Sequence, residues 1–243
     1  MAATAGRTLF ISDLHLDEGR PAIVERFEAF LGEVAPNADA LYILGDLFES
    51  WVGDDGLELP LPARIAPRLR STAARTPLFF MHGNRDFMVA EGFARATGAG
   101  LIADPTVVDL YGKRTVLLHG DTLCTDDTAY QAFRKQVRDP RWQQAALARP
   151  LAERMEMARQ MREQSEGAKQ GKDMAIMDVN EAAVAAAFEA SGCDLMIHGH
   201  THRPARHVHQ VGGRERVRWV LPDWYERGGY LEVTPDGVRA VEA

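Results

Sequence analysis

The sequence predicts an α/β fold, an α+β sandwich of two packed β-sheets flanked by helices. Three observations carry this reading. Five short apolar runs each end in a polar cluster holding Asp, Asn or His; helical patterns separate them; and the chain finishes in two hairpin signals. Runs apolar on both faces suit strands buried between layers, and the change from β-α-β order to antiparallel hairpins asks for two sheets.

The first run is TLFISDLHL, from Thr8 to Leu16. Pro21 then opens a helix at its first turn, with Ile23, Phe27, Phe30 and Val34 as its apolar stripe. ALYILGDLF (Ala40 to Phe48) and PLFFMHGNRD (Pro77 to Asp86) follow, and Asp86 is placed to cap a helix that stops near Gly98. The fourth run is TVLLHGD, Thr115 to Asp121. Residues Asp126 to Lys172 interrupt the alternation with helical sequence. Tyr130, Phe133 and Val137 make one stripe there, Leu147, Leu151 and Met155 another at i, i+4 spacing, and Pro140 and Pro150 divide the segment. A helix over roughly Met174 to Ala190, ending at Gly192, leads into the fifth run, DLMIHGHTH (Asp194 to His202). After Pro204, Gly212-Gly213 and Pro235-Asp236-Gly237 each lie between two strand-like arms. The expected organisation is a single domain over 1–243 with a helical insertion, or lid, at 126–172.

Composition narrows the function. Of 243 residues, 46% are apolar and 26% charged, which is ordinary for a globular chain. A net charge of −7 argues against a general nucleic-acid binder. The insertion departs from that balance: between Arg134 and Lys172 ten Lys/Arg stand against five Asp/Glu, a local +5 that leaves −12 elsewhere. Cys124 and Cys193 form no CxxC pair, so structural zinc and a disulfide framework are not expected. MAATAGR leads into a strand without a cationic leader, and no stretch of about 18 apolar residues is present to span a membrane.

The chemistry sits at the ends of the runs. In a strand, residues i and i+2 point the same way, so Asp13 and His15 can reach one ion together. Asp46 follows a glycine at the end of the second run, where its carboxylate can bridge two cations. Asn84, His119, His200 and His202 end the other three, and the carboxyl ends of strands are where open α/β sheets bind ligands. An oxygen and nitrogen donor set without thiolate suits Mn²⁺, Fe or Zn²⁺. Two ions about 3.5–4 Å apart lower the pKa of a bridging water and neutralise charge building on phosphorus. His82 and His198 are read as packing residues within their runs, and His207 and His209 as surface residues of a hairpin.

D-x-H, G-D, G-N-x-D, H-G-D and G-H-x-H in this order resemble the calcineurin-like metallophosphoesterases. More narrowly, LYILGDLFESWVGDD, HGNRDF, HGDTLCTDD, AIMDVN and HGHTHRP are similar to the family of UDP-2,3-diacylglucosamine hydrolases of lipid A biosynthesis, over nearly the whole chain. The resemblance implies two Mn²⁺ ions, one held by Asp13, His15, Asp46 and His202, the other by Asp46, Asn84, His119 and His200. It implies substrate contacts at Asn84, Arg85, Asp127, Ser165, Lys169, Lys172 and His200, with Asn84 and Arg85 catalytic.

Many members of the wider fold read G-N-H where this chain has Arg85. Arginine cannot donate a proton but binds phosphoryl oxygens through its fork. A phosphate leaving group, with a second pKa near ~6, scarcely needs protonation. An alkoxide, like water near ~16, does. Arg85 therefore favours a pyrophosphate over an alkyl ester. The implied reaction is hydrolysis of UDP-2,3-diacylglucosamine to UMP and 2,3-diacylglucosamine 1-phosphate, hydroxide activated by the two ions attacking the uridine-side phosphorus. The implied setting is peripheral, on the cytoplasmic face of a bacterial inner membrane, with no nucleic acid and no obligate protein partner. Two alternatives are a soluble phosphoesterase for dinucleoside polyphosphates or cyclic nucleotides, and an inactive scaffold of the same fold. The first has no use for an apolar, basic lid, and the second should lack ligands that are all present here.

Overall fold

A computed structural model of the chain describes residues 6–169, 176–225 and 228–242, without the side chains at 166, 168 and 169. In chain order the elements are β1 (Thr8–Ile11), α1 (Pro21–Ala29), β2 (Ala40–Ile43), α2 (Pro60–Ala73), β3 (Leu78–Met81), α3 (Glu91–Thr97), β4 (Gly100–Ile102), β5 (Thr106–Leu110) and β6 (Lys113–Leu117). Then come α4 (Thr128–Val137), α5 (Pro140–Leu147), α6 (Leu151–Lys169), α7 (Glu181–Ser191), β7 (Leu195–His198), β8 (Ala205–Val211), β9 (Arg214–Val220), β10 (Gly229–Thr234) and β11 (Gly237–Glu242).

Among the described residues the strands form two mixed sheets, ordered β11-β10-β1-β2-β3-β4 and β5-β6-β7-β9-β8. Strand side chains alternate between faces, so each strand feeds two cores. On β1, Leu9 and Ile11 face the layer of α1, α2 and α3 with Phe27, Ile65, Leu69 and Phe93, whereas Phe10 lies between the sheets with Tyr42, Leu117, Ile197 and Leu231. On β7, Leu195 and Ile197 point into that same central layer, and Met196 turns out to Val184 and Phe188 of α7. This double burial is why the runs carry apolar residues without alternation.

Both hairpins form as expected, the first through Gly212 and Gly213 at φ of 60° and 74°. The stripe of α1 is buried at Ile23, Phe27 and Phe30, the last carried on a π-helical turn. Three expectations are corrected, and three elements are additional to them. Asp86 caps no helix: α3 begins five residues later, and its first amides, on Ala90 and Phe93, are taken by Asp54. The helix ending at Gly192 begins at Glu181, capped by Asn180; residues 176–180 are not helical, and Met174 lies outside the described residues. Helix α2, with Pro67 inside it, and strands β4 and β5 have no counterpart in the sequence reading. The stripe of Leu147, Leu151 and Met155 is not continuous: Leu147, at the end of α5, and Leu151, at the start of α6, lie beside the turn of Gly53 and Gly56, on either side of the break at Pro150. Leu147 and Met155 stand 47% and 45% exposed.

Candidate metal centre

The turns that follow β1, β2, β3, β6 and β7 are sewn to one another by main-chain bonds. Asp13 N donates to Gly45 O at 3.1 Å, His15 N to Asp46 O at 2.9 Å and Gly199 N to His119 O at 2.8 Å. Asp86 accepts from the amides of Gly83 (2.8 Å), Leu47 (2.8 Å) and Asp46 (3.2 Å), fastening the second turn to the third. At Gly83 and Gly199 the chains approach so closely that a Cβ would strike Asp46 Oδ1 in one case and Ser12 and Asp13 in the other.

Strand geometry does not bring Asp13 and His15 together, as the i, i+2 argument had it, because β1 ends at Ile11. Both residues are left-handed, at φ of 55° and 49°, and so are Asp46 (54°), His200 (69°) and His202 (53°). Among the described residues only Tyr111 shares this with them outside glycine. Such backbone costs about 1–3 kcal/mol per residue and persists where the surroundings over-determine it. Here it turns five polar side chains into one buried space.

Asp13 Oδ1 lies 3.4 Å from His202 Nε2 and 4.0 Å from His15 Nε2, and the two histidine Nε2 atoms are 3.4 Å apart. Asp46 stands between two histidines, with Oδ2 at 3.7 Å from His15 Nε2 and Oδ1 at 3.9 Å from His119 Nε2. Asn84 Oδ1 meets His119 Nε2 at 3.0 Å and His200 Nδ1 at 2.9 Å. Donor atoms converge in two groups, Asp13, His15 and His202, and Asp13, Asp46 and His119. All seven residues singled out in the sequence are therefore brought together.

This arrangement fits divalent ions. Asp13 Oδ1 and His15 Nδ1 are buried with no hydrogen-bond partner. Burial pushes Asp46 up to about 7, helped by the charges of Asp86 and Asp13 against the pull of His119. Burial also holds His15 well below, and His200 down at about 3, so both imidazoles are neutral, as metal ligands must be. For His119 burial likewise opposes the cation, but the charges of Asp46, Asp121 and Asp13 outweigh it and raise the group to about 9. A bound cation would replace that proton.

One residue the sequence reading missed is Glu49, three positions past Asp46. It is buried, 3.7 Å from His15 Nδ1, and faces the guanidinium groups of Arg20 (3.4 Å), Arg162 (3.6 Å) and Arg85 (3.9 Å). A lone acid closing an apolar run was the available signal. Asp121 is the other: it accepts from Tyr130 Oη and Arg134 Nε, both at 2.7 Å, and so moors α4 to the turn of His119.

From this centre a cavity of about 620 Å³ extends beneath α4, α5 and α6. Its apolar lining includes Trp51, Phe87, Tyr130, Phe133, Met157 and Met161. Arg154, Met157, Ala158, Met161, Arg162 and Ser165 reach it from a single face of α6. Of the expected substrate contacts, Asn84, Arg85, Asp127, Ser165 and His200 line the cavity, and Asp127 also caps α4. The Lys169 side chain and Lys172 lie outside the described residues.

Residues 6–204 match the family model of the calcineurin-like phosphoesterases. A UDP-2,3-diacylglucosamine hydrolase of Xanthomonas axonopodis pv. citri is 53% identical over 95% of this chain and 96% of its own. The protein of the same name from Cellvibrio japonicus is 50% identical, with the same coverage of both chains. An archaeal phosphodiesterase of known structure aligns over 98% of this chain and 99% of its own, at 12% identity and a TM-score of 0.48. With most of its length inside the family model and half its residues shared with these enzymes, the chain belongs to the calcineurin-like phosphoesterases, among the UDP-2,3-diacylglucosamine hydrolases, and is a metal-dependent hydrolase.

Proposed function

We propose that this protein hydrolyses the pyrophosphate of UDP-2,3-diacylglucosamine, releasing UMP and 2,3-diacylglucosamine 1-phosphate for lipid A biosynthesis. The observation that carries this is the cavity, which joins a cluster of cation-seeking side chains to a long apolar wall. A soluble phosphoesterase has no use for that wall.

In this reading Asp13, His15, Asp46 and His202 hold one Mn²⁺, and Asp46, Asn84, His119 and His200 hold the other. Bound there, the ions would supply Lewis acidity, enough to make water acidic at neutral pH and to offset charge on phosphoryl oxygens. The chain's own residues do the rest. Arg85 N donates to Asp46 Oδ1 at 2.8 Å, so the carboxylate that would serve both ligand sets and the arginine are held in one register. Among the described residues the Arg85 side chain makes no hydrogen bond through its buried Nε and has Glu49 as its ion-pair partner, at 3.9 Å, which leaves its fork for the phosphoryl oxygens. Water adds at the uridine-side phosphorus and loses its proton to solvent, the bond to the bridging oxygen breaks with its electron pair on that oxygen, and the sugar phosphate leaves without needing an acid. Residues 126–172 act as a lid inserted in a single domain, sheathing the acyl chains, with Asp127, Ser165, Lys169 and Lys172 meeting the polar part of the substrate. Among the described residues no helix is long and apolar enough to cross a membrane. The enzyme would work peripherally, at the cytoplasmic face of the inner membrane.

The test is turnover of acylated and deacylated substrate by the Mn²⁺-loaded protein. A strong preference for the acylated form is expected, since each buried methylene contributes about 0.8 kcal/mol. Equal kcat/KM for the two would overturn the lipid assignment.

A further inference from the structure

The loop after β7 presents both His200 and His202 from left-handed backbone, and something must hold it there. From the side facing the metal centre it is fixed by His200 N donating to Asp13 Oδ2 at 2.9 Å and Gly199 N donating to His119 O. From behind, the last residue of β7, His198, is fully buried and packs under it. Its ring also lies against Gly120, where a Cβ would meet Nδ1 at 2.6 Å. A single side chain thus underlies the turns that carry His119 and His200.

The orientation of that ring is decided from β9. Arg218 is buried, with Nη1 3.1 Å from His198 Nε2 and Nε 3.2 Å from His209 Nε2. A guanidinium only donates. Nε2 of each histidine must therefore be the acceptor, and each must carry its proton on Nδ1. His198 Nδ1 then donates to Gly199 O at 2.8 Å, and His209 Nδ1 donates to Glu181 Oε2, at 3.0 Å, on the first turn of α7. Gly199 O also accepts from Thr201 N at 2.9 Å. The carbonyl is thus gripped at the start of the bend that carries the two candidate ligands.

We propose that Arg218 is a positioning residue for the metal centre, enforcing through one tautomer of His198 the loop conformation that presents His200 and His202. This rests on the reading of those two histidines as ligands. Removing a group bonded directly to a metal ligand weakens metal affinity about 10–100-fold, and Arg218 stands one step further out, so its loss should cost up to about 10-fold. Without a donor at position 218, Nε2 of His198 loses its partner, the other tautomer becomes accessible, and the hold on Gly199 O is lost in part of the population.

The test uses the full chain with Mn²⁺ alone as probe. Long-range ¹H–¹⁵N NMR of the metal-free protein reads the histidine tautomers, and calorimetry reads Mn²⁺ binding. Wild type and Arg218→Lys, which keeps a donor, should show one Nδ1–H tautomer of His198. Arg218→Met should show mixed tautomers and Mn²⁺ binding weaker by up to about 10-fold, with unchanged far-ultraviolet circular dichroism. Unaltered tautomer, or unaltered Mn²⁺ affinity, in folded Arg218→Met overturns the proposal. Should that variant not fold, His198→Asn and His198→Leu decide it. The Asn amide reaches the Nδ1 position and should keep affinity where Leu loses it; equal affinities overturn the proposal. Wild type that binds no Mn²⁺ sinks the metal-centre reading instead, and the tautomers of the metal-free chain still judge Arg218.

Discussion

Arg85→Lys isolates the contribution of the guanidinium fork, because the structure fixes everything else at that position. The backbone of Arg85 is tied on both sides, N to Asp46 Oδ1 at 2.8 Å and O to Trp51 N at 3.0 Å, and neither bond involves the side chain. The guanidinium has no side-chain hydrogen bond among the described residues: Nη1 is 3.9 Å from Glu49, and Nε is buried without an acceptor. Lysine keeps the charge but cannot engage two oxygens in one plane. One charge-assisted hydrogen bond is worth about 1.5–3 kcal/mol, which converts to a fall in kcat/KM of about 10–150-fold. Stability should not fall with it. A buried donor left unpaired costs about 1–3 kcal/mol, so Arg85→Met should raise the Tm of the metal-free protein or leave it unchanged. Steady-state kinetics on the acylated substrate, elemental analysis and thermal denaturation read the three quantities. A kcat/KM for Arg85→Lys within about twofold of wild type, with metal content intact, would remove the fork from the mechanism.

Asp46 lies between His15 and His119, at 3.7 and 3.9 Å, so Asp46→Ala should lose more metal by elemental analysis than Asn84→Ala; two equivalents retained in the folded variant would end its bridging role. Met161→Asp should lower kcat/KM for acylated but not deacylated substrate, whereas Met155→Asp, on the 45% exposed face of α6, should change neither; matching effects would show that α6 does not line an acyl groove. Arg154 is buried and joins α6 to the segment before α2, bonding Val52 O and both oxygens of Asp55. Arg154→Met should destabilise the docking of that helix by about 1.5–3 kcal/mol, seen as faster amide exchange over 151–165, and unchanged exchange would refute the clamp. Chelation of the wild type should abolish turnover and lower Tm together, both restored by added Mn²⁺; turnover surviving exhaustive chelation would contradict a metal-dependent reaction.

The residues of the buried cluster stood out in the sequence because each candidate ligand belongs to a short motif closing a strand. Asp13, His15, Asp46, Asn84, His119, His200 and His202 could be named before any contact was known. The two sheets were legible for a related reason: runs apolar on both faces need cover on both faces, and Phe10 and Met196 do fill opposite layers. Only the tertiary structure decided how these residues meet. Asp13 and His15 converge through left-handed backbone; Asp and His visit that region more readily than most residues, but only the surrounding turns fix it at these positions. The cap of α3 comes from Asp54 rather than the nearby Asp86, since a carboxylate serves whichever amides the fold delivers to it. The cavity face of α6 carries Met157 and Met161, whereas Leu147 on α5 and Met155 on α6 stand exposed, a choice that the spacing of apolar residues across Pro150 does not record. Glu49 and Arg218 matter through partners remote in sequence, the arginines at 85 and 162 and the histidine at 198. Local pattern records periodicity and turn chemistry; which distant groups share a buried space is settled by the packing of whole layers.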